Sequence, residues 1–142
     1  MLKARDFRQR DEHSCTACVL RYGLYLLTDE TITKKDAEKL TKCKPNGATF
    51  VQLQRAFKKF GLKTVDRKLT AKNMIDAVKK GRLVVTDDIN TWEKDPHAIM
   101  VYKYKKKKLY VFDSYTKRGI RIKRPDKVLE NATEMFEVYI KD

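Results

Sequence analysis

The longest apolar stretch of the chain covers residues 15–27, Cys-Thr-Ala-Cys-Val-Leu-Arg-Tyr-Gly-Leu-Tyr-Leu-Leu. Apolar side chains occupy most faces of the helix that this stretch would form, which predicts a central, buried helix. Ser14 provides a suitable N-cap for it. Gly23 weakens such a helix slightly unless another element packs closely against it.

Three further segments are predicted to be helical: one short polar helix, followed by two amphipathic helices with regular apolar spacing. Each begins at a threonine whose hydroxyl can cap the helix, and the last two end at a glycine. The predicted helices span residues 33–42, 49–61 and 70–81. Thr49 and Gln52 form a complete capping box at the start of the second of them.

Strand-like runs dominate the second half of the chain. Strands are predicted at residues 62–65, 83–85, 98–102, 109–112, 120–122 and 135–140, with one helical turn at about 125–132. Lys105, Lys106, Lys107 and Lys108 separate two of these runs, which predicts a β-hairpin with a charged tip. Residues 87–96 are predicted to form a polar loop.

Together these elements predict an α+β domain, with a helical N-terminal half packed on a C-terminal antiparallel β-sheet. The 142 residues, of which 42% are hydrophobic, suit a single domain over residues 1–142. The sequence contains neither an apolar stretch of membrane-spanning length nor a secretory signal. We therefore expect a cytoplasmic protein without a membrane segment, and we expect it to be a monomer.

The three cysteines are interpreted in two different ways. The three cysteines lack the repeated CxxC pattern of a zinc site, so free thiols in a reducing compartment are expected. Cys18 and Cys43 are best interpreted as small buried apolar residues. Cys15 differs, because it would lie in the first turn of the buried helix, where the partial positive charge of the helix favours a thiolate. A CxxC redox pair of Cys15 and Cys18 is a weaker alternative, since the thioredoxin-like βαβ setting is missing.

A base and an orienting carboxylate can be assigned from the predicted hairpin. His97 opens one strand and Asp113 follows the neighbouring strand, so antiparallel pairing places both at one end of the sheet. Asp113 could then bind one imidazole nitrogen and leave the other for Cys15, as in catalytic triads. His13 is less suitable as a base, because it lies only two residues before Cys15. Gln9, six residues before Cys15, could supply a side-chain amide to an oxyanion hole.

These residues resemble the papain-like fold, and specifically the C39 peptidases, whose members include bacteriocin-processing domains that cut leader peptides after a double glycine. That family has a glutamine six residues before the cysteine, and an aspartate about sixteen residues after a histidine that opens a strand. Gln9, Cys15, His97 and Asp113 have this spacing. The segment 46–64 resembles the turn, helix and strand that lie between the cysteine and the histidine in the family.

The resemblance implies a Cys-His-Asp cysteine peptidase. Cys15 would attack the scissile carbonyl, His97 would exchange the proton, Asp113 would orient His97, and Gln9 would help to hold the oxyanion. A peptide or protein is the implied substrate, and neither a metal nor an organic cofactor is implied. The family usually has an acidic residue before the cysteine, glycine after it and proline after the aspartate. This chain has Ser14, Thr16 and Ser114 at those positions, and these departures bear on the double-glycine specificity more than on the triad.

Two alternatives stay open from the sequence. A protease-like module could bind peptide without cleaving it, although such a module needs no nucleophile. A nucleic-acid-binding protein is suggested by 33 Lys and Arg against 19 Asp and Glu, a net charge of +14. Binding would run through Lys105, Lys106, Lys107 and Lys108, with interleaved tyrosines as stacking platforms. A solvated hairpin face explains the same lysines without a nucleic acid.

Overall fold

The computed structural model describes residues 1–8, 15–42, 49–89 and 97–140. A 3₁₀ turn at Ala4–Phe7 is followed by helices α1 (Cys15–Thr28), α2 (Lys34–Thr41), α3 (Phe50–Lys59), α4 (Ala71–Lys79) and α5 (Pro125–Glu130). The strands are β1 (Lys63–Arg67), β2 (Leu83–Asp88), β3 (His97–Lys105), β4 (Lys108–Phe112), β5 (Ile120–Lys123) and β6 (Met135–Tyr139). This is the predicted α+β class, and the elements follow the predicted order.

The strands form one six-stranded sheet in the order β1-β6-β2-β3-β4-β5. Every neighbouring pair is antiparallel. The predicted hairpin is β3–β4, in which Met100 pairs with Phe112 and Lys105 with Lys108. Lys106 and Lys107 make the turn between them with φ values of 53° and 64°.

The sheet is buried on both faces, because alternate residues of its central strands enter two separate cores. On one face Ala98 and Met100 of β3 pack in the core that contains α1 and α3. On the other face Ile99 and Val101 pack with α4 and α5. Burial on both faces explains why residues 83–85 of β2 and 98–101 of β3 are continuous apolar runs.

Helix α1 lies close to its neighbours at Gly23. A Cβ atom built at Gly23 would lie 2.9 Å from two ring carbons of Phe57 and 3.4 Å from the sulfur of Met100. Only glycine admits this approach of α3 and β3 to the helix. The close packing that Gly23 required is therefore present, and it seats α1 firmly against the centre of the sheet.

The expected helix caps are also present. The Thr49 hydroxyl accepts a hydrogen bond from the backbone N–H of Gln52, and the Gln52 side chain accepts one from the N–H of Thr49. Thr33 and Thr70 cap α2 and α4 through their hydroxyls. Ser14 and Cys43 lie outside the described residues.

The prediction of a polar loop at residues 87–96 is wrong for its first two residues. Asp87 and Asp88 are not loop residues but the last two residues of β2, and both are buried. Asp87 is accommodated because its carboxylate accepts hydrogen bonds from the Thr133 hydroxyl, at 2.5 Å, and from the Thr133 backbone N–H, at 2.8 Å. These contacts replace water for a charge that would otherwise be costly to bury.

Candidate functional site

The loop that follows β4 is built around Asp113. The backbone N–H of Asp113 donates to the carbonyl of Gly119, and its carbonyl accepts from the N–H and the hydroxyl of Thr116. Oδ1 of its side chain accepts from the backbone N–H of Tyr115 at 3.0 Å, which closes an Asx turn. Local hydrogen bonds thus fix the carboxylate, although proline does not follow it.

His97 is the partner of this carboxylate. It is the first residue of β3, pairs with Asp88 of β2, and has no exposed surface. Its Nε2 lies 2.6 Å from Oδ1 of Asp113, a short, charge-assisted hydrogen bond. The hairpin therefore brings the predicted base and the predicted orienting carboxylate into direct contact.

The environment of His97 favours its charged form. Burial by itself lowers the pKa of His97, but hydrogen bonds to Asp113 and Cys15, and the charges of those two groups, outweigh it and raise the pKa to about 9. At neutral pH the imidazole is therefore protonated. A cationic imidazole beside a cysteine is the arrangement that stabilises a thiolate.

Cys15 begins α1 and is 8% exposed. It interacts with the His97 ring closely enough to raise the pKa of that ring. Nδ1 of His97 nevertheless has no partner at strict hydrogen-bonding geometry within the described part of the chain, so the thiol contact is looser than the Asp113 contact. Catalytic hydrogen bonds are commonly long in the absence of substrate and tighten when it binds.

The predicted nucleophile, base and orienting carboxylate thus come together from three separate elements: the start of α1, the start of β3 and the loop after β4. Gln9 and His13 lie outside the described residues. Cys18 lies on α1 and is fully buried in the core, as expected. The catalytic roles of Gln9, Cys15, His97 and Asp113 stay predictions at this point.

Two site residues were not found from the sequence. The ring of Tyr115 stacks on the His97 imidazole with centroids 4.0 Å apart and planes 17° apart. The guanidinium of Arg121, on β5, lies with Nε 3.2 Å from Oδ2 of Asp113. An aromatic residue two positions after the aspartate was a visible signal for the first contact. The second depends on strand pairing and has no local signal.

Thr16, the residue that follows Cys15, is one of the positions at which this chain departs from the family pattern. Thr16 is 2% exposed, and its hydroxyl has no hydrogen-bond partner among the residues described. An unpaired buried hydroxyl is costly unless water or a ligand satisfies it. The departure from the family pattern at this position therefore adds a buried hydroxyl to the residue that follows Cys15 in the sequence.

The tyrosines that might serve nucleic-acid binding have other partners. Tyr102 contacts the rings of Tyr22 and Tyr110, and Tyr104 lies under the ammonium of Lys79. Tyr110 also lies under Lys103, and Tyr115 covers His97. Each ring is committed to a contact within the protein, so the nucleic-acid interpretation gains no support from them.

Neither a metal-binding cluster nor a membrane-spanning helix is found within residues 1–8, 15–42, 49–89 and 97–140. No group of three or more histidine, cysteine or acidic side chains is arranged there to hold a metal ion. No helix in these ranges has the length and apolar character needed to cross a membrane.

Solved structures with the same fold place this geometry in context. The peptidase domain of Streptococcus ComA, a bifunctional ABC transporter, matches with a TM-score of 0.79 and 17% identity, over 94% of this chain and 96% of that chain. A double glycine motif protease from an AMS/PCAT transporter, solved with its leader peptide, matches with a TM-score of 0.74 and 14% identity, over 94% and 89%. The peptidase domain of Streptococcus mutans ComA gives 0.68 and 19%, over 92% and 95%.

The sequence comparisons agree in part. No curated protein matches the chain significantly. The model of the peptidase C39 family matches residues 5–135, which is most of the chain. The papain-like fold, expected from the resemblance, is therefore the fold of this protein, and family membership supports a cysteine peptidase function. This chain belongs to the peptidase C39 family.

Proposed function

We propose that this protein is a cysteine peptidase that uses Cys15 as the nucleophile, His97 as the proton carrier and Asp113 as the orienting carboxylate. The observation that carries the proposal is the buried 2.6 Å contact between His97 and Asp113, with Cys15 close enough to the same imidazole to raise its pKa. A structural histidine would need neither a dedicated carboxylate nor a neighbouring thiol.

In the first half-reaction, the Cys15 thiolate adds to the scissile carbonyl carbon of a peptide. The tetrahedral oxyanion collapses, the C–N bond breaks, and His97 gives its proton to the leaving amine. The products are a thioester between Cys15 and the amino-terminal part of the peptide, and a free carboxy-terminal fragment that carries the new amino group. Because His97 has a pKa of about 9, the proton that the amine needs is already in place at neutral pH.

In the second half-reaction, neutral His97 removes a proton from water, and the hydroxide attacks the thioester carbonyl. The C–S bond breaks, which releases the carboxylic acid and restores the thiolate and imidazolium pair. Gln9 and the backbone N–H of Cys15 would donate to the oxyanion in both steps. Asp113 keeps one nitrogen of His97 occupied, so that only the other can face the substrate.

The substrate is a peptide or protein. The protease from the AMS/PCAT transporter was solved with a leader peptide, so a peptide with a double glycine before the cleavage point is the first substrate to test. Thr16, Ser14 and Ser114 depart from the family pattern around the site. A peptide library should therefore be tested beside the double-glycine peptide.

The decisive experiment compares Cys15→Ala with Cys18→Ala. Both residues lie on α1 and both are buried, but only Cys15 neighbours His97. Each variant and the wild type are treated with a peptide-aldehyde or peptide-epoxide probe and with the peptide library. We expect labelling and cleavage in the wild type and in Cys18→Ala, and neither in Cys15→Ala.

Brief alkylation by substoichiometric iodoacetamide tests the thiol itself. Mass spectrometry should find Cys15 modified faster than Cys18 or Cys43. Equal reactivity of the three, together with equal probe labelling of wild type and Cys15→Ala, would contradict the peptidase assignment. That result would favour the protease-like module that binds peptide without cleaving it.

A further inference from the structure

Arg121 connects two buried carboxylates at the catalytic end of the sheet. Its Nε lies 3.2 Å from Oδ2 of Asp113, and its Nη1 lies 3.9 Å from Oδ2 of Asp88. Asp113 follows β4, and Asp88 ends β2, where it pairs with His97. The guanidinium of Arg121, on the edge strand β5, therefore interacts with carboxylates at the ends of β2 and β4. Both of these carboxylates belong to neighbours of His97.

The two oxygens of Asp113 have different partners. Oδ1 accepts from His97 and from the backbone N–H of Tyr115, while Oδ2 lies against Arg121. Without Arg121, the carboxylate could rotate about its Cβ–Cγ bond and exchange its oxygens. Since Asp113 and Asp88 are only 3% and 7% exposed, no bulk water stands ready to replace the guanidinium.

The space beside Arg121 supports the same interpretation. The cavity lined by Asp88, Asp113 and Arg121 has a volume of about 10 Å³. That is room for at most one water molecule, so the cavity itself has no space for a larger anion between the guanidinium and the two carboxylates.

We propose that Arg121 is a positioning residue of this site, which holds the Asp113 carboxylate in the orientation that serves His97. The proposal rests on the peptidase function, because it assigns a role within that reaction. Arg121 touches no reacting atom and acts only through Asp113.

Arg121→Gln and Arg121→Lys test the proposal, with Lys123→Gln as the matched control. Lys123 lies two residues further along β5 and also lines the cavity, so its loss removes a nearby positive charge while Asp113 keeps its contact. We expect Arg121→Gln to lower kcat by roughly tenfold with KM nearly unchanged, because orientation and not substrate binding is lost. Arg121→Lys should recover part of kcat, and Lys123→Gln should match the wild type.

A spectroscopic measurement keeps the test independent of turnover. The chain has two histidines, so the Nε2 proton of His97 can be assigned by comparison with His97→Gln. The short contact to Asp113 should place this proton far downfield in the wild type and in Lys123→Gln. In Arg121→Gln it should move upfield or broaden by exchange, in protein whose circular dichroism and melting curve show it to be folded.

The outcomes separate this proposal from the peptidase function. An unchanged Nε2 proton in folded Arg121→Gln overturns the positioning role, whether or not the protein cleaves peptides. A changed proton in folded Arg121→Gln, together with a wild type whose Cys15 is unreactive, supports the positioning role and refutes the peptidase. Equal losses in Arg121→Gln and Lys123→Gln would show a general charge effect and would also overturn the proposal.

Discussion

Charged side chains are buried and paired at one end of the β3–β4 hairpin, and exposed to solvent at the other end. At one end His97 and Asp113 are buried, and each charge has a partner at a defined distance. At the other end Lys105, Lys106, Lys107 and Lys108 form a lysine tip that is exposed to solvent. The same two strands therefore carry a buried ion pair and a solvated cluster of like charges.

The comparison indicates that buried, paired charges can influence a reaction more strongly than solvated charges can. Charges in water interact weakly and are screened by salt, so the lysine tip can contribute to solubility and to long-range attraction but little to structure. Charges out of water interact strongly and must be paired. The pKa of His97 is an example, because interactions with Asp113 and Cys15 raise it.

The largest effect should come from breaking the buried end. Asp113→Asn leaves the shape of the side chain but removes the charge that stabilises the imidazolium. We expect kcat/KM to fall by at least about 100-fold, by analogy with the loss of the orienting carboxylate in other triads. Steady-state kinetics on a cleaved peptide measure it.

The exposed end supplies the contrast for this prediction. Changing Lys105, Lys106, Lys107 and Lys108 together to glutamine removes four charges from the same hairpin. Activity on an uncharged peptide should stay within about twofold of the wild type. A large loss there would mean that the lysine tip takes part in the reaction, and the contrast between the two ends would be lost.

A second prediction concerns stability and pH. The pKa of His97 is raised from 6.5 to about 9, so folding binds a proton between these values. The stabilisation is fully present below pH 6.5 and is lost as the pH rises through 9. The full shift corresponds to about 3 kcal/mol.

Urea unfolding of wild type and His97→Gln at pH 6 and pH 10 measures this effect. The difference in unfolding free energy between the two proteins should be largest at pH 6 and should shrink by about 3 kcal/mol at pH 10. Titrating groups that do not interact with His97 are shared and cancel in the difference. A difference that does not change with pH would show that Asp113 and Cys15 do not stabilise the imidazolium.

The smallest effect should come from relaxing the turn at the exposed end. Lys106 and Lys107 have positive φ, a conformation that Asn and Gly adopt at lower cost than lysine. Replacing them with Asn and Gly respectively should raise stability by about 1 kcal/mol without changing activity. Lys106→Gln with Lys107→Gln is the control, because it removes the same charges and keeps the strained backbone. Equal gains in both double variants would assign the effect to charge repulsion.

Much of the fold could be predicted because its signals are local. The capping threonines, the apolar run of α1 and the alternation of the strands each depend on neighbouring residues. Asp87 and Asp88 could not be placed, because polar residues at a strand end look like loop. Their burial depends on Thr133 and Arg121, which lie far along the chain.

The candidate site divides in the same way. The spacing of Cys15, His97 and Asp113 was visible in the sequence, and the pairing of two neighbouring strands sufficed to predict the meeting of the last two. Gln9 rests on spacing alone and lies outside the described residues. The extent of the domain, the monomeric state and the cytoplasmic location also stay predictions.

By itself the sequence determined the elements, their order and the chemistry that three polar residues could perform, because capping, periodicity and strand pairing act over short distances. Only the tertiary structure decided how those residues are held. It stacked Tyr115 on His97, set Arg121 against Asp113 and enclosed both carboxylates away from water. These contacts join elements that no local pattern relates, and burial is what gives them their strength.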